Sequence, residues 1–306
     1  MTSVQDVRDI YTPGVARVSA ALAEDSSLAS RYTMIGRSVA ICTNGTRVLG
    51  LGNIGPVAAM PVMEGKAVFY QQCAGISAMP ILIDTEDADE FVEVVTKIAP
   101  TFGGIHLEDI SAPDCFEIEA RLIEALPQPV MHDDVHGTAV VTLAAAIVAC
   151  RQAGLVLEDT VVGQIGLGAA GFGIAALMVD GGVRRVLAAD PNELSHERAT
   201  ARGVEVVDME TLMAEAQVVL ATTGRPGIIT ADMIRPGQVI MALTNPIPEI
   251  FPDEALAAGT IAELTVESEL VPDVLDPEVH RSIARAVCEA AVASGVARLE
   301  RAPAGL

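Results

Sequence analysis

The chain has 306 residues, 51% hydrophobic but only 3% aromatic and without Trp, which excludes extensive disorder and suits two packed, helix-rich α/β domains. Its 41 acidic against 19 basic residues leave a net charge of −22, so nucleic acid and anionic membrane surfaces are repelled and an anionic substrate needs a local cationic site. Cys42, Cys73, Cys115, Cys150 and Cys288 are odd in number and form no CxxC pair, the N-terminus carries no signal-peptide pattern, and the longest apolar run (139–150) is short for a bilayer; a cytosolic protein with reduced thiols is expected.

In chain order, 38–42 and 47–51 are short apolar runs bounded by Asn44-Gly45 and Gly52-Asn53, predicting a strand, a tight turn and a second strand that places Arg47 near a Gly-rich loop. A buried strand is predicted over 79–83, a helix over 87–99, and a strand over 104–107 that ends at Glu108-Asp109. A helix over 116–126, a short strand over 129–132 and an Ala-rich helix over 138–153 follow. From Asp159 the alternation restarts: a strand over 161–165, a Gly-rich turn, a helix over 172–180 and a strand over 185–189 that ends in Asp190. Strands over 204–207, 218–221 and 239–243 are separated by short helices, and an Ala-rich helix over 277–298 closes the pattern.

Gly166-Leu167-Gly168-Ala169-Ala170-Gly171 is a GxGxxG turn between a predicted strand and a helix, and Asp190 follows Gly171 by 190 − 171 = 19 residues. Those positions fit dinucleotide binding: small residues let the backbone approach a pyrophosphate at a helix N-terminus, and the later acid accepts hydrogen bonds from the adenosine ribose. An Asp there favours NAD over NADP, whose 2′-phosphate it would repel.

Two carboxylate pairs, Glu108-Asp109 and Asp133-Asp134, end predicted strands. Converging at one sheet edge, they would offer hard oxygen donors suited to Mg2+ or Mn2+; spread apart, they would be helix caps or surface charge. His132 and His136 are four apart, as in an HExxH zinc helix, but Pro129 and Gly137 bracket a strand-to-loop segment. The expectation there is two hydrogen-bonded loop histidines.

Read together with Tyr11–Ala16 (YTPGVA), Leu49–Gly55 (LGLGNIG), Glu64-Gly65-Lys66, Ile98–Phe116 (IAPTFGGIHLEDISAPDCF), His132–Thr138 (HDDVHGT) and Leu243–Ile250 (LTNPIPEI), these residues resemble the malic enzymes of bacterial short type. The resemblance spans most of residues 10–255. It implies an α/β fold of two domains: an N-terminal malic-enzyme-type domain over 1–136, completed by a C-terminal helix at 276–306, and a Rossmann-like NAD-binding domain over 137–275. It further implies Glu108, Asp109 and Asp134 as ligands of Mg2+ or Mn2+, and Lys66 as the base that takes the 2-hydroxyl proton. Tyr11 is then the acid that protonates C3, and Asp133 an acid beside the lysine. Arg47 and Asn245 would contact substrate carboxylates. Gly166, Gly168, Ala169, Ala170, Gly171, Asp190, Thr222 and Asn245 would contact NAD. The implied reaction is oxidative decarboxylation of L-malate to pyruvate in a homodimer, with no nucleic-acid or membrane partner, and with Tyr11 acting either in its own subunit or across the subunit interface.

Three departures from the family pattern bear on the substrate pocket and, for the last, on subunit contacts. After Ala257–Thr260 the family's Asn-rich loop, source of a second substrate-binding asparagine, is missing; Val135 replaces a usual glutamine; and the lead before Tyr11 is short. They keep open a relative acting on another substituted 2-hydroxy acid, and a non-catalytic NAD-binding homologue.

Overall fold

The structure, a computed structural model, describes residues 3–257 and 276–297. The missing Asn-rich loop expected after Ala257 therefore lies outside the described residues. Backbone contacts divide the chain into two compact units, one made of 1–45, 55–108 and 117–131, the other of 46–54, 109–116 and the chain from His132 onward.

The elements of the first half are α1 (Val4–Ile10), α2 (Gly14–Glu24), α3 (Ala29–Tyr32), β1 (Ser38–Thr43), α4 (Pro56–Ala74), β2 (Ser77–Leu82), α5 (Ala88–Ile98), β3 (Gly104–Leu107), α6 (Asp114–Ala125) and β4 (Val130–His132). The four strands form a sheet of order β2-β1-β3-β4, with β1 parallel to both β2 and β3. Local chemistry sets the helix ends. Pro56 at the first position of α4 loses no hydrogen bond, left-handed Gly75 closes that helix, and the Asp87 carboxylate accepts from the amides of Asp89 and Glu90 to cap α5. Phe91, Val92 and Val95 then form the buried stripe of α5.

The second half continues with α7 (Asp133–Gln152), β5 (Val161–Ile165), α8 (Ala169–Asp180), β6 (Arg185–Ala189), α9 (Glu193–Ala201), β7 (Glu205–Val206), α10 (Met209–Glu215), β8 (Val218–Ala221), β9 (Val239–Ala242), α11 (Pro252–Ala257) and α12 (Pro277–Ala293). Its parallel sheet has the order β7-β6-β5-β8-β9. Alternate residues feed two cores. Val186, Ala188, Val218 and Leu220 pack with α7 and α8 residues such as Ala146, Ile174 and Met178, while Leu187, Val219 and Ala221 pack with Leu212 and Met213 of α10. Burial on both faces explains why these strands read as continuous apolar runs. The α7–α8 contact is a backbone one, since a Cβ at Gly173 would lie 2.0 Å from the Val135 carbonyl oxygen.

Several expectations require correction. The 47–51 run is no strand: Val48 and Gly52 form a single antiparallel bridge around the 3-10 turn Leu49–Leu51, and Gly52 has φ +75°. The glycines at 50 and 52 favour a tight turn over an extended ladder. Helix α7 begins at Asp133 rather than 138, because two acids in its first turn suit the positive end of the helix dipole and outweigh Gly137. His136 is consequently an exposed helical residue and His132 a buried strand-end one, so neither is a loop histidine. Although the apolar run within it read as too short, α7 as a whole is long and apolar enough by length and composition to cross a membrane; in this fold Ala139, Ala146 and Ala149 belong to the core. None of the five cysteines forms a disulfide among the described residues, and burial pushes the Cys42 thiol up to about 12.

Candidate functional site

In the second unit the chain leaves β5 for β6 and β7 on one side and returns to β8 and β9 on the other, so the crevice at the ends of β5 and β8 is a topological switch point, where α/β sheets place ligands. A cavity of about 580 Å³ opens there, lined by Ile165, Gly166, Gly168, Asp190, Thr222 and Arg47 among others. Asp190 Oδ2 accepts from the Leu167 amide at 2.6 Å and Oδ1 from the Asn192 amide at 2.7 Å. The acid thus both braces the Gly-rich turn and faces the cavity. Gly171 is required by close approach, since a Cβ on it would lie 1.9 Å from the Gly166 carbonyl oxygen and 2.7 Å from Thr222 Oγ1. At Gly168 a Cβ would meet nothing within 4 Å, leaving room for a ligand over the backbone.

A second cavity of about 470 Å³ adjoins the same turn, lined by Arg47, Asn53, Asp109, Asp134, Gly168, Ala169, Ala170 and Thr222. Asp109 adopts φ +55°, a left-handed backbone that costs about 1–2 kcal/mol and that Asp tolerates better than most residues. In this conformation its carbonyl accepts from the Arg47 amide at 3.0 Å and its own amide donates to Asp134 Oδ2 at 3.2 Å. His132 Nδ1 lies 3.8 Å from the same Asp134 oxygen. The 109–116 segment is anchored at its far end by Phe116, edge-on to Phe172 at 5.0 Å and beneath the Arg198 guanidinium at 4.1 Å. Such a cation–π contact contributes about 0.5–1 kcal/mol at a partly exposed position.

In the first unit, Lys66 on α4 places Nζ 3.3 Å from Glu108 Oε1, just beyond β3. Glu108 is nearly inaccessible, at 5% exposure. Asp133 is half-buried in the first turn of α7, its Oδ1 lying where a side chain on Gly137 would otherwise go. Tyr11 and Asn245 are not gathered in: Tyr11 ends α1 with 70% exposure, and Asn245 is exposed with its carbonyl against Gly50.

Buried polar residues that sequence reasoning passed over support the second-unit crevice. Gln164 Nε2 donates to the Gly166 carbonyl at 3.1 Å and to Thr222 Oγ1 at 2.9 Å, joining the two strand ends that flank the cavity. Glu249 is fully buried and accepts from the Thr223 amide at 2.7 Å and the Thr244 amide at 3.2 Å. A polar residue in the middle of an apolar strand was the signal available for Gln164; for Glu249 only the fold reveals the partners.

The model of the malic enzyme N-terminal domain matches residues 2–123, and that of the acetohydroxy acid isomeroreductase NADPH-binding domain matches residues 156–235. The chain is 46% identical to NAD-dependent malic enzyme 1 of Bacillus subtilis (strain 168), covering 95% of this chain and 76% of that protein. It is 37% identical to the NAD-dependent malic enzyme of Geobacillus stearothermophilus, covering 98% and 76%. The crystal structure of malic enzyme from Pyrococcus horikoshii Ot3 superposes with a TM-score of 0.87 at 32% identity, covering 97% of this chain and 86% of that one. Identity at this level over nearly the whole chain, in both halves of the two-unit fold, shows that the chain belongs to the malic enzyme family.

Proposed function

We propose that this oxidoreductase catalyses the NAD- and divalent-metal-dependent oxidative decarboxylation of L-malate to pyruvate and CO2. The observation that carries the reading is the amine of Lys66 held 3.3 Å from Glu108, a base candidate set directly beside carboxylate oxygens. For NAD, the fit rests on the cradle a Cβ on Gly171 would fill, on the open space over Gly168, and on Asp190 at the cavity wall. The names of the two bacterial relatives agree with it. For Mg2+ or Mn2+, the fit rests on the donor set: Asp109 and Asp134 meet in one cavity, and Glu108 precedes Asp109 in the chain. All three offer carboxylate oxygens, the donors hard cations take.

When bound, NAD+ supplies a hydride acceptor for C2, and a divalent cation held by Glu108, Asp109 and Asp134 supplies Lewis-acid polarisation of the C2 oxygen. The protein's own residues do the rest. Arg47, lining both cavities, binds and orients a substrate carboxylate, with Asn245 assisting. Lys66 Nζ in its amine form accepts the 2-hydroxyl proton, and Asp133 orients the lysine. After CO2 departs, the Tyr11 hydroxyl delivers a proton to C3. The test is nicotinamide absorbance with purified protein, NAD+, Mn2+ and L-malate, followed by a pyruvate assay. Equal NADH and pyruvate, both dependent on Mn2+, are expected. NADH formed only with another 2-hydroxy acid would replace the substrate, and NAD+ binding without turnover on any would leave a binding protein.

Tyr11 reaches a substrate, in this reading, through a homodimer. Neither α1 nor α2 has a buried residue, although Val4, Ile10, Val15 and Val18 are apolar and exposed; an apolar helix pair of this kind suits a second copy of the chain. Light scattering is expected to give twice the chain mass, and Ile10→Asp to shift it towards one. A monomeric wild-type protein at micromolar concentration would remove both the dimer and the cross-subunit role of Tyr11.

A further inference from the structure

Lys66 and Tyr70 stand four residues apart on α4 and so share one face of the helix, while His106 and Glu108 stand two apart along and just beyond β3. Within the first unit these residues join into one chain of contacts. Lys66 Nζ meets Glu108 Oε1 at 3.3 Å, Glu108 Oε2 is hydrogen-bonded to His106 Nε2, and His106 Nδ1 is 2.8 Å from the Tyr70 hydroxyl. The Tyr70 ring also sits edge-on to the imidazole, with centroids 5.5 Å apart at 86°. His106 is 2% exposed, so its ring is held by these partners rather than by water.

The donor arithmetic fixes the proton positions. An ionised carboxylate only accepts, so Nε2 must carry the hydrogen that faces Glu108. In a neutral imidazole Nδ1 is then the acceptor, and the Tyr70 hydroxyl must donate to it. The carboxylate therefore sets the tautomer and the hydroxyl reinforces it, and that tautomer commits one oxygen of Glu108 while the other stays turned to Lys66.

Resting on the reading of Glu108 as a cation ligand, we infer that His106 and Tyr70 are positioning residues that orient the Glu108 carboxylate for the cation and for Lys66. The inference predicts coupling of a specific kind. A glutamine at 106 donates through its amide whatever Tyr70 does, so the hydroxyl should matter only while the histidine is present.

The experiment is a Mn2+ titration followed by the electron paramagnetic resonance signal of the free ion, on wild type, Tyr70→Phe, His106→Gln and the double variant, with thermal melts as a folding check. Removing such an outer partner commonly weakens metal binding by about 10-fold or more. Tyr70→Phe is expected to weaken Mn2+ binding about tenfold in the wild-type background and less than about twofold in the His106→Gln background. In nitrogen NMR spectra of the metal-free protein, Tyr70→Phe is expected to lower the Nε2–H tautomer population of His106. An equal cost in both backgrounds, or none in either, overturns the relay, as does an unchanged tautomer population. Wild-type protein that fails to bind Mn2+, or binds it equally well as Asp134→Asn, overturns instead the cation reading on which the inference rests.

Discussion

Replacing Lys66 with alanine is expected to lower kcat by about 10²- to 10⁴-fold, the range spanned by a positioned general base, while leaving NADH affinity within about twofold of wild type. The two readouts separate because they depend on different units. Lys66 lies on α4 of the first unit, whereas the Gly-rich turn, Asp190 and Thr222 belong to the second. The loss should not be a folding defect: the lysine side chain is 28% exposed, and Glu108 keeps its bond to His106 when the amine is gone. Lys66→Arg sharpens the test, because a guanidinium preserves the positive charge beside Glu108 but cannot deprotonate to act as a base. Recovery with arginine would mean that the residue serves as a charge, and a Lys66→Ala enzyme retaining more than about a tenth of wild-type turnover would remove it from the chemistry altogether.

Which parts of this molecule were legible in the sequence follows from which physical signals are local. Strands β3, β5, β6 and β8 coincide with the apolar runs at 104–107, 161–165, 185–189 and 218–221, because strands buried in parallel sheets show themselves as short continuous apolar stretches between turns. The Gly-rich turn was legible because its glycines answer local needs, and the structure names the atoms that a side chain on Gly171 would strike. Helix α4, which carries both Lys66 and Tyr70, was not legible as a helix. Its apolar residues run round the whole circumference, and Pro61 and Gly65 interrupt the pattern.

Long-range partners account for the remaining gaps. Nothing near Arg47 in the sequence announces that its amide will bond the carbonyl of Asp109, or that Asp109 will take a left-handed backbone to present its own amide to Asp134. His106 reads locally as one more residue of a buried strand; only the packing of α4 on the sheet, against β2 and β1, brings Tyr70 to it and makes its tautomer a matter of consequence. Residue types and order offered four acids at strand ends, and the resemblance to the family nominated Glu108, Asp109 and Asp134 among them. The contacts that orient them are set by the fold.

A pair of glycine substitutions is expected to separate the structural from the ligand-binding role of the Gly-rich turn. A methyl on Gly168 would meet nothing within 4 Å in the protein, so Gly168→Ala should leave the melting temperature unchanged. Yet it stands where a pyrophosphate must come close to the backbone. Losing one hydrogen bond to a charged group costs about 1.5–3 kcal/mol, so NADH affinity, read from its fluorescence, should fall about 10- to 100-fold. Gly171→Ala should differ in kind. Its methyl would lie 1.9 Å from the Gly166 carbonyl oxygen and 2.7 Å from Thr222 Oγ1, forcing the turn away from the start of α8, an overpacking that costs about 1–3 kcal/mol. That variant should both melt earlier and bind NADH poorly. Unchanged NADH binding in Gly168→Ala would place the dinucleotide somewhere other than over this turn, and the cavity beside Asp190 would need another ligand.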